Sequence, residues 1–262
     1  MKRPFWRCCF LLISATLPTV LSAQPAPRVV HVFVALADNA HQGIVPVPAA
    51  LGNGDDPNRN LYWGAAFGVR TFFGKSKDWV PLGLPSPLNK QVIQRQTFRH
   101  NATGTLLIAD AYRGSEIKKA LEDFFAAAAG RENMVTFSIE AREQKRTVTA
   151  TADLVIYVGH DGLMDFSLEK TFRGESTPKR QAIVLACASK QYFATALKPT
   201  GAEPLLWTTN LMAPEAYTLK AALDGWLAGE ANEQIRQRAA ASYAQYQRIS
   251  QGAALKLFVT GW

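Results

Sequence analysis

Cysteine is scarce in this 262-residue chain, with only Cys8, Cys9 and Cys187. The first two fall in an N-terminal stretch that reads as a secretory signal peptide over residues 1–23. Lys2, Arg3 and Arg7 supply its positive end, Phe10 to Leu21 its apolar middle, and Ser22-Ala23 a small-residue cleavage site. The apolar middle is too short to span a bilayer comfortably. Cleavage would leave one cysteine in an oxidising compartment, and one cysteine makes no internal disulfide. Such a leftover is either a small buried side chain or a reactive thiol.

Other absences narrow the class further. No later apolar run is long enough for a membrane helix, so the expectation is a periplasmic or secreted protein with no membrane contact after signal cleavage. Lys and Arg never exceed three in a row, and aromatics do not interleave with them. The formal charge is +8; removing the three basic side chains of residues 1–23 leaves +5. A nucleic-acid partner therefore has little to rest on. The chain has no P-loop, no GxGxxG and no HExxH, so no cofactor and no zinc site is expected. Asp55, Asp56, Asn58 and Asn60 place oxygens at close spacing, like the first half of a calcium loop. Leu61 and Phe67 stand where the turn glycine and distal Glu would be, and a turn capping the next helix is the better reading.

What remains is a strongly patterned chain. Hydrophobic residues make up 48% of it and tryptophan occurs six times, which suits a globular core. After a short Pro-containing tether at residues 24–28, residues 29–262 read as a single domain. Val29–Ala37, VVHVFVALA, is nearly continuous in apolar character, as strands buried on both faces of a parallel sheet are. His31 inside it reads as structural. The Asp38–Asn60 stretch is a long polar loop, 57–73 a candidate buried helix, and 75–99 irregular because of its prolines. Thr105–Ala109 reads as a strand ending at Asp110. Ser115 is positioned to cap a helix that runs to Ala129 and ends at Gly130. A small hairpin is expected over 135–150, a helix over 189–197, a strand over 204–208, and helices over 214–228 and 231–250. Strands alternating with helices predict a mostly parallel central sheet with helices on both faces.

Two consecutive apolar runs carry the chemistry. Leu154–Gly159 leads into His160, and Ala182–Ala186 leads into Cys187. In an open α/β sheet, ligands bind outside the carboxyl ends of the strands, so both side chains would face one crevice. A helix start after Cys187 favours a thiolate. Ser189 would cap that helix and its N–H groups could help hold an oxyanion. Gly162 would let backbone approach a substrate closely. His41, in the loop after the first strand, lies on the same edge. Asp110 and Asp165 are candidate substrate-selecting carboxylates.

The segments LVIYVGHDG and AIVLACAS, with a serine two residues after the cysteine, a helix, and then PLLWT, resemble the clan CD cysteine peptidases, a group that includes caspases, metacaspases, legumains and gingipains. The resemblance covers about residues 153–210. It implies a caspase-like three-layer α/β sandwich. It also implies a Cys187/His160 dyad acting through a thioester on a peptide or protein substrate, with the backbone N–H groups of Gly162 and Cys187 at the oxyanion. One departure stands out: Asp161 separates His160 from Gly162, which the family places side by side. Two other readings stay open. One is a non-catalytic binding or scaffold protein of the same fold. The other is an unrelated α/β binding protein using the Asp38–Asn60 loop.

Overall fold

A computed structural model describes residues 26–83, 89–131, 135–141, 144–174 and 180–262, without the side chains of 83 and 135–150. The proposed signal segment and its two cysteines lie outside these residues. In chain order the elements are β1 (Val29–Ala35), α1 (Val69–Gly74), β2 (Trp79–Gly83), β3 (Val92–His100), β4 (Leu106–Tyr112), α2 (Ile117–Ala128), β5 (Val135–Ala141) and β6 (Gln144–Ala150). There follow β7 (Leu154–Val158), β8 (Gln181–Leu185), α3 (Ser189–Leu197), β9 (Glu203–Thr208), α4 (Ala216–Leu227), α5 (Asn232–Gln247), α6 (Gln251–Leu257) and β10 (Phe258–Val259).

Eight strands form one sheet in the order β10-β9-β8-β7-β1-β4-β3-β2, and β5 pairs with β6 in a separate hairpin. The five central strands, β9 to β4, run parallel. β10, β3 and β2 add antiparallel edges. The central strands show why a near-continuous apolar run is needed. On β1, Val30, Val32 and Val34 enter one core while Val29, Phe33 and Ala35 enter the other. On β7, Leu154, Ile156 and Val158 face the first core, and Val155 and Tyr157 the second. The two-residue strand period thus feeds two cores at once. α4 and α5 cover the first core with Leu219, Leu223, Ile235 and Tyr243. α2 and α3 cover the second with Leu121, Phe124, Phe125 and Phe193. The apolar stripe of α2 has the spacing expected of it, and Gly130 at φ +76° ends it in the left-handed region that glycine adopts without strain.

The structure departs from the sequence expectation in five places. Only Val69–Gly74 of 57–73 is helical; the rest is turns, packed so closely that a Cβ on Gly64 would lie 2.1 Å from the Asn58 carbonyl oxygen. The irregular 75–99 stretch holds the edge strand β2, where a proline such as Pro81 is tolerated, and most of β3, which lies between β2 and β4. Ser115 caps nothing: it sits in a 3-10 turn at Gly114–Glu116, and α2 starts after it. The 231–250 helix stops at Gln247, because Arg248 is left-handed at φ +54°. A separate α6 begins there, with the Ser250 side chain accepting from the Ala253 N–H.

The fifth departure removes Asp110 from the crevice. β4 continues past it, and Asp110 is fully buried mid-strand. Arg95 on β3 pairs with it across the strands, Nε and a terminal nitrogen each 2.6 Å from a carboxylate oxygen, and His31 on β1 lies 2.8 Å away. Burial alone would raise the carboxyl pKa, but the bonds from Arg95 and His31 outweigh it and hold the group below its usual range. His31 is structural, as its place inside a core strand suggests.

Candidate active site

The sheet is built outward from β1, to β4 on one side and to β7, β8 and β9 on the other. The strand order therefore reverses beside β1, and a crevice opens at the carboxyl edge there. Val158 and Leu185 are register partners on β7 and β8. His160 and Cys187 each stand two residues beyond, at matched positions on strands about 4.8 Å apart. Gly159 makes the approach to His160 possible. Its φ is +152°, and a Cβ there would lie 2.9 Å from the Ala35 carbonyl oxygen at the end of β1. Just after Cys187, Ala188 is held in the left-handed region at φ +45°, ψ +33°. A residue with a Cβ held there stores strain of about 1 kcal/mol, and such strain gathers at functional sites.

His160 and Cys187 line one cleft of about 270 Å³. The connection after β1 contributes Ile44, Val45 and Val47 to its walls, and that after β9 contributes Leu211, Met212 and Pro214. His160 Nε2 lies 2.7 Å from Asp165 Oδ2, which also accepts the Gly43 N–H. This contact occupies Nε2, and no hydrogen bond joins the imidazole to the Cys187 sulfur. The sulfur of Cys187 is held by backbone: it accepts the Met212 N–H at 3.4 Å and donates to the Met212 carbonyl at 3.5 Å. Burial pushes the thiol pKa up, and the nearby Asp161 charge adds to the rise. The depressed thiol expected at a helix start is thus overturned, because desolvation outweighs the helix end.

Asp161 is the group out of balance. It is fully buried, and its Oδ1 accepts the Leu163 N–H at 3.0 Å while Oδ2 has no partner. Burial first, and then the charge of Asp165, push its pKa up to about 7. An unfolded Asp titrates near ~3.9. Between those values the folded chain keeps a proton that the unfolded chain has lost, so stability falls as pH rises from about 4 to about 7. The loss is on the order of 4 kcal/mol at ~1.4 kcal/mol per pH unit. Asp161→Asn should flatten that slope and be the more stable protein at pH 8. Urea unfolding at pH 5 and pH 8 checks this; an identical difference between the two proteins at both pH values would refute it.

The other sequence candidates separate into those at the cleft and those that hold its frame. Gly162 is packed against Phe166 and Ile117, and its N–H donates to the His160 carbonyl at 3.1 Å. It is not available to an oxyanion, which leaves the Cys187 N–H of the two donors considered. Ser189 is buried at the first turn of α3, not its cap: its hydroxyl donates to the Val184 carbonyl, and its N–H donates to Thr208. It ties α3 to β8 and β9. His41 is exposed and bonded to Asp38 at 2.8 Å, outside the cleft lining. Asp165 is at the site, as the partner of His160 and not as a wall of the cleft. In the 55–60 loop, Asp55 pairs with Arg113, Asp56 with Arg59, and Asn60 bonds the carbonyls of Ala37 and Asn53. Those oxygens serve turns and ion pairs of the chain itself.

Sequence reasoning passed over Gly159, the Met212 backbone and the apolar walls. A signal was present for the walls, since Ile44-Val45-Pro46-Val47 and Leu211-Met212 are apolar residues placed in connections. Among the described residues no helix is long and apolar enough to cross a membrane. Comparisons with protein-family models, with curated proteins and with solved structures found no match to this chain.

Proposed function

We propose that this protein is an exported cysteine hydrolase with a caspase-like three-layer architecture, acting as a peptidase on peptide or protein substrates. The observation that carries the reading is that Cys187 and His160 share one cleft at matched strand ends, with Asp165 bonded to the imidazole Nε2. A nucleophile, a base and an orienting carboxylate in that order are the parts needed for acyl transfer.

The elevated thiol pKa sets the order of events. Cys187 rests as a thiol, and His160 Nδ1 takes its proton as the sulfur attacks the substrate carbonyl carbon. Asp165 steadies the imidazolium that forms, and the Cys187 N–H faces the oxyanion. Collapse breaks the C–N bond, and the amine leaves with the proton from His160. The thioester is then attacked by a water that His160 deprotonates, releasing the carboxylic acid and restoring the thiol.

One observation favours a second reading, a binding protein without catalysis. The sulfur is held by Met212 on both its donor and acceptor sides, and burial keeps it protonated. Chemical trapping separates the two. A peptidyl acyloxymethyl ketone should add to native protein at Cys187, identified by mass spectrometry. Iodoacetamide labelling should speed up as pH rises through 9, since only the thiolate reacts. Labelling confined to denatured protein, with no ketone adduct, would favour the binding protein. A rate already level at pH 7 would refute the resting thiol.

A further inference from the structure

The cleft is unlike its surroundings in one respect. Among the described residues, no Lys, Arg, Asp or Glu lines it; His160 is its one titratable polar side chain besides Tyr62 and Cys187. The walls are Ile44, Val45, Val47, Met164, Leu211 and Met212. Three of these stand in water: Val45 is 82% exposed, Leu211 66% and Met164 42%. Large apolar side chains gathered at the rim of a cleft, with no core to join, mark a place that an apolar group covers. Of the nearby acids, Asp165 is on His160, Glu215 accepts from the Tyr217 hydroxyl, and Asp161, whose Oδ2 has no partner, is fully buried outside the cleft lining.

We infer that the cleft selects an uncharged, apolar side chain, of the size of Leu or Met, on the residue whose carbonyl Cys187 attacks. This rests on the hydrolase reading. Cys187 lines the cleft, so the attacked carbonyl must enter it, and the side chain on the adjacent α-carbon meets the apolar walls. A cleft of about 270 Å³ falls just below the ~300–1,000 Å³ of sites for larger ligands, and suits one side chain or a short acyl group. A basic side chain would meet no carboxylate lining the cleft, and an acidic one no cation. Either would be stripped of water with no partner.

The test uses acetyl-Ala-Ala-Xaa-aminomethylcoumarin with Xaa as Leu, Met, Arg or Asp. The wild-type protein is assayed for hydrolysis, and Cys187→Ala for binding of the same four compounds by ligand-observed NMR. Leu and Met should exceed Arg and Asp by about 100-fold or more in kcat/KM, and should be the compounds the variant retains. Leu211→Asp, an exposed change that leaves the core intact, should cut the Leu-to-Arg ratio by about 10-fold. A preference for Arg or Asp in either assay overturns the inference, and so does an unchanged ratio in Leu211→Asp. Selective binding of the Leu compound by Cys187→Ala without hydrolysis by the wild type supports an apolar cleft and overturns the hydrolase reading alone. No binding and no hydrolysis of any of the four overturns both.

Discussion

Cys187→Ala should abolish peptide hydrolysis, a loss of about 10⁴-fold or more, and His160→Ala should come close to the same floor. The double variant should be no worse than Cys187→Ala alone. In the proposed mechanism the two side chains act on one proton and one carbonyl, so either loss removes the whole step. Asp165→Ala should cost less, about 10²-fold in kcat with KM little changed, because the imidazole keeps its place at the strand end but loses the partner that fixes its Nε2. All four proteins should remain folded. His160 and Cys187 lie beyond the last paired residues of β7 and β8, and Asp165 is partly exposed. Steady-state kinetics on the Leu substrate, with circular dichroism as the folding control, decides the matter. If the losses of the single variants multiply in the double variant, the pair does not work as a unit.

Asp110→Ala should have the largest effect on stability, about 3–5 kcal/mol by urea unfolding at pH 7. The change strands the Arg95 guanidinium, only 3% exposed, with no carboxylate. Replacing both partners by apolar residues, Arg95→Met with Asp110→Leu, should recover most of the loss, because the cost lies in the uncompensated charge and not in the missing pair. Acid should act in the same direction as the single substitution. The carboxyl is held below its usual range, so its contribution is present above the unfolded carboxylate pKa and is lost as pH falls through the folded one. Hydrolysis per folded molecule should be unchanged, since Asp110 lies within β4 and away from the cleft. A loss under about 1 kcal/mol, or a double variant as unstable as the single one, would show that the buried pair does not have this role.

These two sets of residues also show what a sequence can reveal. β1, β7, β8 and β9 were legible because a strand buried on both faces must be apolar at nearly every position, and that pattern is local. The positions of His160 and Cys187 followed from it. Asp110 was misread for a reason equally physical. A carboxylate after TLLIA looks like a strand end until Arg95, on another strand, is known to neutralise it, and that pairing is set by the register of β3 on β4. The edge strand β2 was hidden because edge positions tolerate proline, and β3 because the polar run Gln94-Arg95-Gln96-Thr97 lacks the apolar pattern of the parallel strands. Asp165 was noticed, but its bond to His160 depends on the 3-10 turn that folds residues 162–164 back. The fall from expectation at Cys187 is of a third kind. Helix starts favour thiolates, but how much water reaches the sulfur depends on the loop carrying Met212, which the local sequence does not describe.

The cleft divides its labour between two kinds of chain. His160 and Cys187 follow strands that both cores grip, and Ala188 fixes the path just after the sulfur. The walls belong to connections, and of these Val45 and Leu211 stand largely in solvent and join neither core. A change at Val45 or Leu211 therefore alters what the cleft admits while the sheet beneath it keeps its stability. Under the proposed function, selectivity can drift quickly, through neutral intermediates, around a centre that cannot.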